Sequence, residues 1–319
     1  MKKNNYRSIN SFEVYCDESR GTNSKEWLID KDGTLYLFKQ TQIKLDGTST
    51  NSHFSESIYS DIANLLKVDC VKPEIVTRNF KIGIITKSFL NDNEELIDFN
   101  ALIQNIRMDY KPKTLKCKKT KEYYSLPLIL EAIKAIDITK EEFDSIRRNL
   151  IEQIIIDALC DHYDRNASNI GIIKKYGINK DKRYKLSPIF DNGTSLSTSL
   201  PLEVVKKYVD NPFGLLEVDK QINSKIGIGD TRFTTYDILL DYIFKNYIED
   251  CIDIIDKINY IIDEQTLNII LNQEKYKGLH EYYKTLILKK VLFNKNKINR
   301  IYSNYSKTKN GNKKELIIT

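Results

Sequence analysis

The chain has 319 residues, enough for one large domain or two lobes, and at 41% hydrophobic and 29% charged it has the make-up of an ordinary globular protein. Its basic surplus, 50 Lys and Arg against 44 Asp and Glu, is mild: it suits a small anionic partner such as a nucleotide and argues against direct nucleic-acid binding as the main role. Five scattered cysteines without a CxxC pair, and three histidines without zinc-ligand spacing, argue against a disulfide framework or a structural zinc site and fit a reducing compartment.

Residues 1–89 read as strands plus one helix. Residues 12–17 and 26–29 are short β-type runs. Asp30-Lys31-Asp32-Gly33 is a hairpin turn, with Gly33 at the φ > 0 position, and 34–39 is the returning strand. After a polar loop at 41–51, Phe54, Ile58, Ile62, Leu65 and Leu66 recur at helical spacing, which predicts an amphipathic helix over 52–67. Residues 74–77 and 81–89 read as a further strand pair.

Residues 90–95 are polar and read as a connector, beyond which the chain is mostly helical. The stretch 107–121 is lysine-rich without clear periodicity and reads as a solvated loop, with a docking surface as the competing reading. Thr139-Lys140-Glu141-Glu142 is a capping box, and the helix that it opens, to about Cys160, carries Phe143, Ile146, Leu150, Ile154, Ile155 and Leu159 on one broad buried face. A polar loop at 161–169 follows, then short strands at 170–173 and 186–190 around a lysine-rich turn. Residues 235–302 form a helical block, and 303–319 a Lys- and Asn-rich flexible tail. The expected fold is therefore α+β and two-lobed. Residues 1–89 make a small β-rich N-lobe that covers a nucleotide, and 90–302 a larger helical C-lobe with the catalytic and metal-binding loops.

Phosphoryl transfer needs in-line positioning, metal on the phosphate oxygens and a carboxylate near the attacking hydroxyl. The segment His162-Tyr163-Asp164-Arg165-Asn166-Ala167-Ser168-Asn169 offers these parts at kinase spacing. Asp164 would orient the acceptor hydroxyl and take its proton, and Asn169 would bind magnesium through its side-chain oxygen. Downstream, in Phe190-Asp191-Asn192-Gly193, Asp191 would be the principal metal carboxylate and Gly193 would let the chain turn sharply away. Asp161 and Asn166 repeat the same spacing; the register Asp164/Asn169 is preferred because Asn169 abuts the strand 170–173. Taken alone the spacing reads equally well as a polar turn with Asx caps. The order helix, loop, strand, turn, strand and Asp-x-Gly is far more specific.

The N-lobe supplies partners. Lys39, at a strand end, would grip the α- and β-phosphates, and Glu56, early in the next helix, would pair with it. Gly21, Thr22, Asn23, Ser24 and Lys25 lie where a phosphate-covering loop belongs, with a plain surface turn as the competing reading. Lys87, Ser88 and Phe89 would form the hinge that contacts adenine through backbone groups. The implied cofactors are ATP and Mg²⁺.

At these residues the chain resembles the HipA-like serine/threonine kinases, a bacterial branch whose catalytic segment is distantly similar to that of phosphatidylinositol kinases. The resemblance runs from Trp27 to about Lys290. It is firmest at Asp164 to Asn169 and at Leu186-Ser187-Pro188-Ile189-Phe190-Asp191-Asn192-Gly193, which looks like the family's Leu-x-Pro-x-(Tyr/Phe)-Asp segment. It implies ATP-dependent phosphorylation of Ser or Thr on a protein substrate, two magnesium ions and self-phosphorylation. In relatives the loop over the phosphates can be phosphorylated and ejected, for which Thr22 or Ser24 would supply the hydroxyl here. The chain departs from the family at Asn166, where His is usual, and from ordinary protein kinases at Asn192, where Phe is usual. It also looks too short at its N-terminus for the extra subdomain of longer relatives, which leaves a dedicated DNA-binding antitoxin partner open.

Three other readings stand beside the protein kinase: a phosphoinositide-type lipid kinase, a nucleotide-binding pseudokinase that acts as a toxin by docking, and a nucleic-acid-binding protein that uses the lysines of 111–121. No apolar run approaches the ~18 residues of a membrane span, and no apolar stretch follows the basic start. A cytoplasmic location is expected, or delivery as an effector without a signal peptide. Substrate and oligomeric state are not legible.

Overall fold

A computed structural model describes residues 6–18, 25–44, 47, 49–177 and 183–315, with Asp17, Glu18 and 307–315 described by backbone alone. The strands and helices are, in order, β1 (Arg7–Ser8), β2 (Glu13–Glu18), β3 (Lys25–Ile29), β4 (Leu35–Gln40), α1 (Ser52–Leu65), β5 (Glu74–Arg78), β6 (Lys81–Lys87), β7 (Glu94–Asp98), α2 (Phe99–Ile106), β8 (Tyr110–Lys111), β9 (Lys116–Cys117), α3 (Leu126–Lys134), α4 (Lys140–Leu159), β10 (Gly171–Lys175), β11 (Tyr184–Leu186), α5 (Leu202–Asp210), α6 (Gly214–Asp219), α7 (Tyr236–Ile261), α8 (Glu264–Leu271) and α9 (Glu281–Glu315). They fall into two compact units that are discontinuous in sequence. One is Met1–Asp92, Pro188–Leu215 and Glu264–Lys289; the other is Asn93–Ser187, Leu216–Asp263 and Lys290–Thr319.

The first unit holds a six-stranded sheet in the order β1-β5-β6-β4-β3-β2, antiparallel except for β1 with β5. The turn between β3 and β4 is the one expected: Gly33 has φ 79° and the Asp30 carboxylate accepts from the backbone N–H of Asp32 and Thr34. Period-two alternation puts Leu28, Phe38, Val76 and Ile85 together with Ile9 in one apolar cluster. The helix predicted over 52–67 is α1, whose Ile58, Tyr59 and Ile62 are fully buried. Near its middle, the Asp61 carboxylate accepts from the Tyr276 hydroxyl, whose oxygen also lies 2.9 Å from the Ser57 hydroxyl, and Asp61 takes Lys275 at 2.8 Å.

In the second unit α4 starts on the predicted capping box: the Thr139 hydroxyl accepts from the Glu142 N–H, and the Glu142 carboxylate accepts from the Thr139 N–H. Its apolar face is buried as expected, and α4 packs on α7, which is kinked at Tyr247. The sheet here has three strands, β11-β10-β7. Three sequence readings change. Residues 94–98 are not the end of a connector but β7, whose acidic start is neutralised where Lys185 meets Glu94 at 3.2 Å. The second strand of the predicted pair ends at Leu186; Ile189 instead bridges Cys70 in the first unit. The lysine-rich stretch is not a bare loop but contains the hairpin β8–β9.

Candidate active site

The first unit assembles a charged cluster from three separate segments. Lys39, in β4, and Glu56, in the second turn of α1, meet at 2.6 Å, as expected from the sequence. The same ammonium forms an ion pair with Oδ1 of Asp191, and Lys25 approaches Oδ2 of Asp191 at 3.3 Å. The other Glu56 oxygen accepts from the backbone N–H of Asn192 at 2.8 Å. Both Glu56 oxygens are thus held, which suits a side chain only 2% exposed.

Burial by itself would lower the Lys39 ammonium; the charges of Glu56 and Asp191 outweigh it and hold Lys39 above its ordinary value. Burial would likewise raise the Asp191 carboxyl, but Lys39 and Lys25 hold it well below the usual carboxylate range. Both groups are therefore charged across the neutral range.

The backbone around Asp191 carries the turn that was expected at Gly193. Asp191 itself has φ 58°, while Gly193 is not among the glycines with positive φ. Gly193 is needed for space instead: a Cβ there would lie 3.2 Å from the Ser52 Cβ and 3.3 Å from Oε1 of Glu56. A residue missed by sequence reading, Ser55, ties this loop to α1. Its hydroxyl meets the carbonyl oxygens of Asn192 at 3.1 Å and Ser195 at 2.8 Å. In the sequence it stands in the helix start Phe54-Ser55-Glu56, which resembles compact members of the HipA-like branch but assigns Ser55 no role of its own.

Lys87 ends β6 opposite Tyr36, and the Ser88 N–H donates to the Leu35 carbonyl at 2.9 Å, so the expected hinge begins as continued sheet. Phe89 stacks on Phe190 at 5.6 Å between ring centroids, next to Asp191. The expected phosphate-loop residues Gly21, Thr22, Asn23 and Ser24 lie outside the described residues; Lys25 is the part of that loop that is described.

The second unit carries Asp164 and Asn169 in the loop after α4. The loop is closed locally: the Asn169 side-chain amide donates to the Asp164 carbonyl at 3.0 Å and the Asn166 N–H to the same oxygen at 2.8 Å. Its anchor is Arg165, fully buried and bidentate to Asp157 of α4 at 2.9 and 2.8 Å, with a third bond to the Asn169 carbonyl at 3.2 Å. The sequence signal for this role was only an arginine beside the candidate acid. Asp161, of the competing register, is buried; it accepts from Asn294 at 2.8 Å and lies 3.3 Å from Lys290.

The oxygen donors Asp191 and Asn169 suit a hard cation. Among the described residues no group of three or more His, Cys, Asp or Glu is placed to hold a metal. Magnesium takes one or two protein oxygens and completes its shell with phosphate and water, and the Asp191 carboxylate is an oxygen donor of that kind.

With this geometry in hand, the chain was compared with known proteins. It is 23% identical over 268 residues to the serine/threonine-protein kinase CtkA of Helicobacter pylori, a match spanning 80% of this chain and 75% of that one. The chain is a distant relative of CtkA. The crystal structure of the H. pylori proinflammatory kinase CtkA superposes with a TM-score of 0.75 at 21% identity, over 93% of this chain and 96% of the other. HipA of Shewanella oneidensis, in a toxin–antitoxin complex with HipB and operator DNA, gives a TM-score of 0.54 at 11% identity, over 93% of this chain and 70% of that one. No protein-family profile matches the chain. The fold is protein-kinase-like, with an N-terminal β-sheet and a mainly helical C-terminal region. Among the described residues no helix is long and apolar enough to cross a membrane.

Proposed function

We propose that the chain is an ATP-dependent protein serine/threonine kinase. The observation that carries this reading is the buried cluster of Lys39, Glu56 and Asp191. Removing one partner of such a cluster leaves an uncompensated buried charge, and burying it at all requires close mutual pairing. A phosphate-binding lysine, its glutamate and a metal carboxylate are what nucleotide phosphoryl transfer asks of this part of a kinase fold. The distant relationship to CtkA, named as a serine/threonine-protein kinase, supports the same chemistry.

In this reading Lys39 holds the α- and β-phosphates and Glu56 holds Lys39 in place. Lys25, which lies near Asp191, contacts the phosphates. Asp191 and Asn169 hold magnesium, which when bound neutralises the phosphate charge. Asp164 positions the acceptor hydroxyl and takes its proton, while Arg165 keeps the loop that carries it in shape. Asp161 is spent on Asn294 and Lys290, which supports Asp164 as the acceptor-side acid. Lys87, Ser88 and Phe89 line the adenine side.

The test is to incubate the purified chain with ATP and Mg²⁺, with and without a generic protein substrate, beside Asp191→Asn. Intact-mass spectrometry counts phosphoryl groups on the chain and on the substrate. Transfer by the wild type and its loss in the variant are expected. Equal transfer in the variant would remove Asp191 from the mechanism. Nucleotide binding without transfer to protein, to itself or to lipid would replace the kinase by a docking pseudokinase.

A further inference from the structure

One of the basic stretches of this chain lies in the hairpin region of the second unit. Residues 107–122 hold seven basic and two acidic side chains, a surplus of five, against a surplus of six for all 319 residues.

That stretch is a folded element. Tyr110, Leu115, Cys117 and Tyr124 point inward and are buried, Tyr110, Cys117 and Tyr124 completely. The Tyr124 N–H donates to the Leu115 carbonyl, and the Cys117 N–H to the Glu122 carbonyl, at 2.9 and 2.8 Å. Both acids of the stretch are consumed internally: Asp109 accepts from the Lys119 backbone N–H at 2.6 Å, and Glu122 pairs with Arg107 at 2.9 Å. Lys116 is bound to the Tyr123 hydroxyl at 2.7 Å. Lys111, Lys113, Lys118, Lys119 and Lys121 are exposed, and none forms an ion pair among the described residues. A self-contained fold thus turns its apolar side in, cancels its own acids and presents five lysines to solvent.

The root of the element adjoins the loop that bears Asp164. Helix α2, which leads into the element, starts against that loop, where the Asn100 N–H donates to the Ala167 carbonyl at 3.3 Å. We infer that the five lysines form a docking surface for an acidic segment of a protein substrate. The inference rests on the kinase reading for the word substrate, and on the hairpin alone for the acidic partner. Carboxylates fit better than the other polyanions. Stacking on bases needs exposed aromatic rings, but Tyr110 and Tyr124 are buried and Lys116 covers the Tyr123 ring at 4.3 Å. Insertion into a lipid surface needs an apolar face, and here Met108 is the one exposed large hydrophobic side chain of the stretch.

The experiment uses the full chain and fluorescence anisotropy with a labelled peptide of mixed Glu and Asp. The comparison variant combines Lys111→Gln, Lys113→Gln, Lys118→Gln, Lys119→Gln and Lys121→Gln. The wild type is expected to bind the peptide, more weakly as salt rises, and the variant about tenfold more weakly or worse. A second variant with Glu at the same five positions is expected to gain binding to an oligolysine peptide, a result that misfolding does not produce. With an acidic peptide that carries one Ser, the Gln variant should raise KM about tenfold and leave kcat and self-phosphorylation unchanged. Equal peptide affinity in wild type and Gln variant overturns the surface. So does a lysine-dependent preference for a single-stranded oligonucleotide or for phosphatidylserine vesicles over the peptide. Lysine-dependent peptide binding without any phosphoryl transfer would keep the surface and remove the kinase reading. Transfer with an unchanged KM in the Gln variant would do the reverse.

Discussion

The two regions that hold the candidate residues are built on opposite plans. Lys39, Glu56 and Asp191 come from positions 17 and 152 residues apart and are held by buried charges. The loop with Asp164 and Asn169 is closed mostly by bonds across five residues or fewer and tied to α4 by the ion pair of Arg165 with Asp157. It has two longer ties, where the Ala167 carbonyl accepts from the Asn100 N–H and the His162 carbonyl from the Tyr236 hydroxyl. The first arrangement exists only when distant strands and a helix have already come together. The second is set mainly by how α4 ends. One is therefore sensitive to charge and packing, the other to one anchor.

The largest effect is expected from the charged cluster. Asp191→Asn should lower transfer by roughly 10³-fold or more, about 4 kcal/mol of barrier, measured as initial rate at saturating ATP. Retained activity would break the comparison at its first term. Next comes the anchor. Arg165→Met leaves Asp157 buried without its partner and should cost about 3 kcal/mol or more of stability in urea unfolding. Adding Asp157→Leu should recover much of that loss, because an apolar pair replaces the ionic one. No recovery would mean that the arginine does more than anchor.

A pH test probes the first region through His53, whose Nδ1 lies 2.9 Å from the Thr41 hydroxyl. Burial pushes the imidazole down from 6.5 to about 4. Between those values the unfolded chain takes up a proton that the folded chain refuses, so stability falls as pH falls through this window and is whole above it. The loss should approach roughly 3 kcal/mol, and His53→Gln should flatten this arm of the urea midpoint against pH. The smallest expected effect is Gly193→Ala, whose methyl would press on Ser52 and Glu56. About 1 kcal/mol of stability and a several-fold slower transfer are expected. A neutral result would show that the loop has slack.

Legibility followed the range of the interactions. Strands β3 to β6 and helix α1 were readable because alternation and helical spacing are local. The capping box of α4 was readable for the same reason. β7 was hidden because its two glutamates look like a connector until Lys185 neutralises one of them. β1 was hidden because two residues carry no pattern; β5 makes them a strand. The hairpin β8–β9 was hidden because its inward residues have no period, only partners. At the site, Asp164, Asn169 and Asp191 stood out by spacing and order. Arg165 did not, since an arginine in a polar loop is ordinarily solvated and its burial depends on Asp157.

By itself the sequence determined the order of β2 to β6 with α1 and the start of α4, the placement of Lys39 at a strand end and Glu56 early in a helix, and the choice of candidate acids. Those features are set by neighbours along the chain. Tertiary structure alone decided that Lys39 is shared between Glu56 and Asp191, that Asp191 rather than Gly193 takes the left-handed turn, and that Arg165 is buried. The physical reason is desolvation. A charge removed from water is stable only against a specific opposite charge, and which charge that is depends on what the fold brings within about 3 Å.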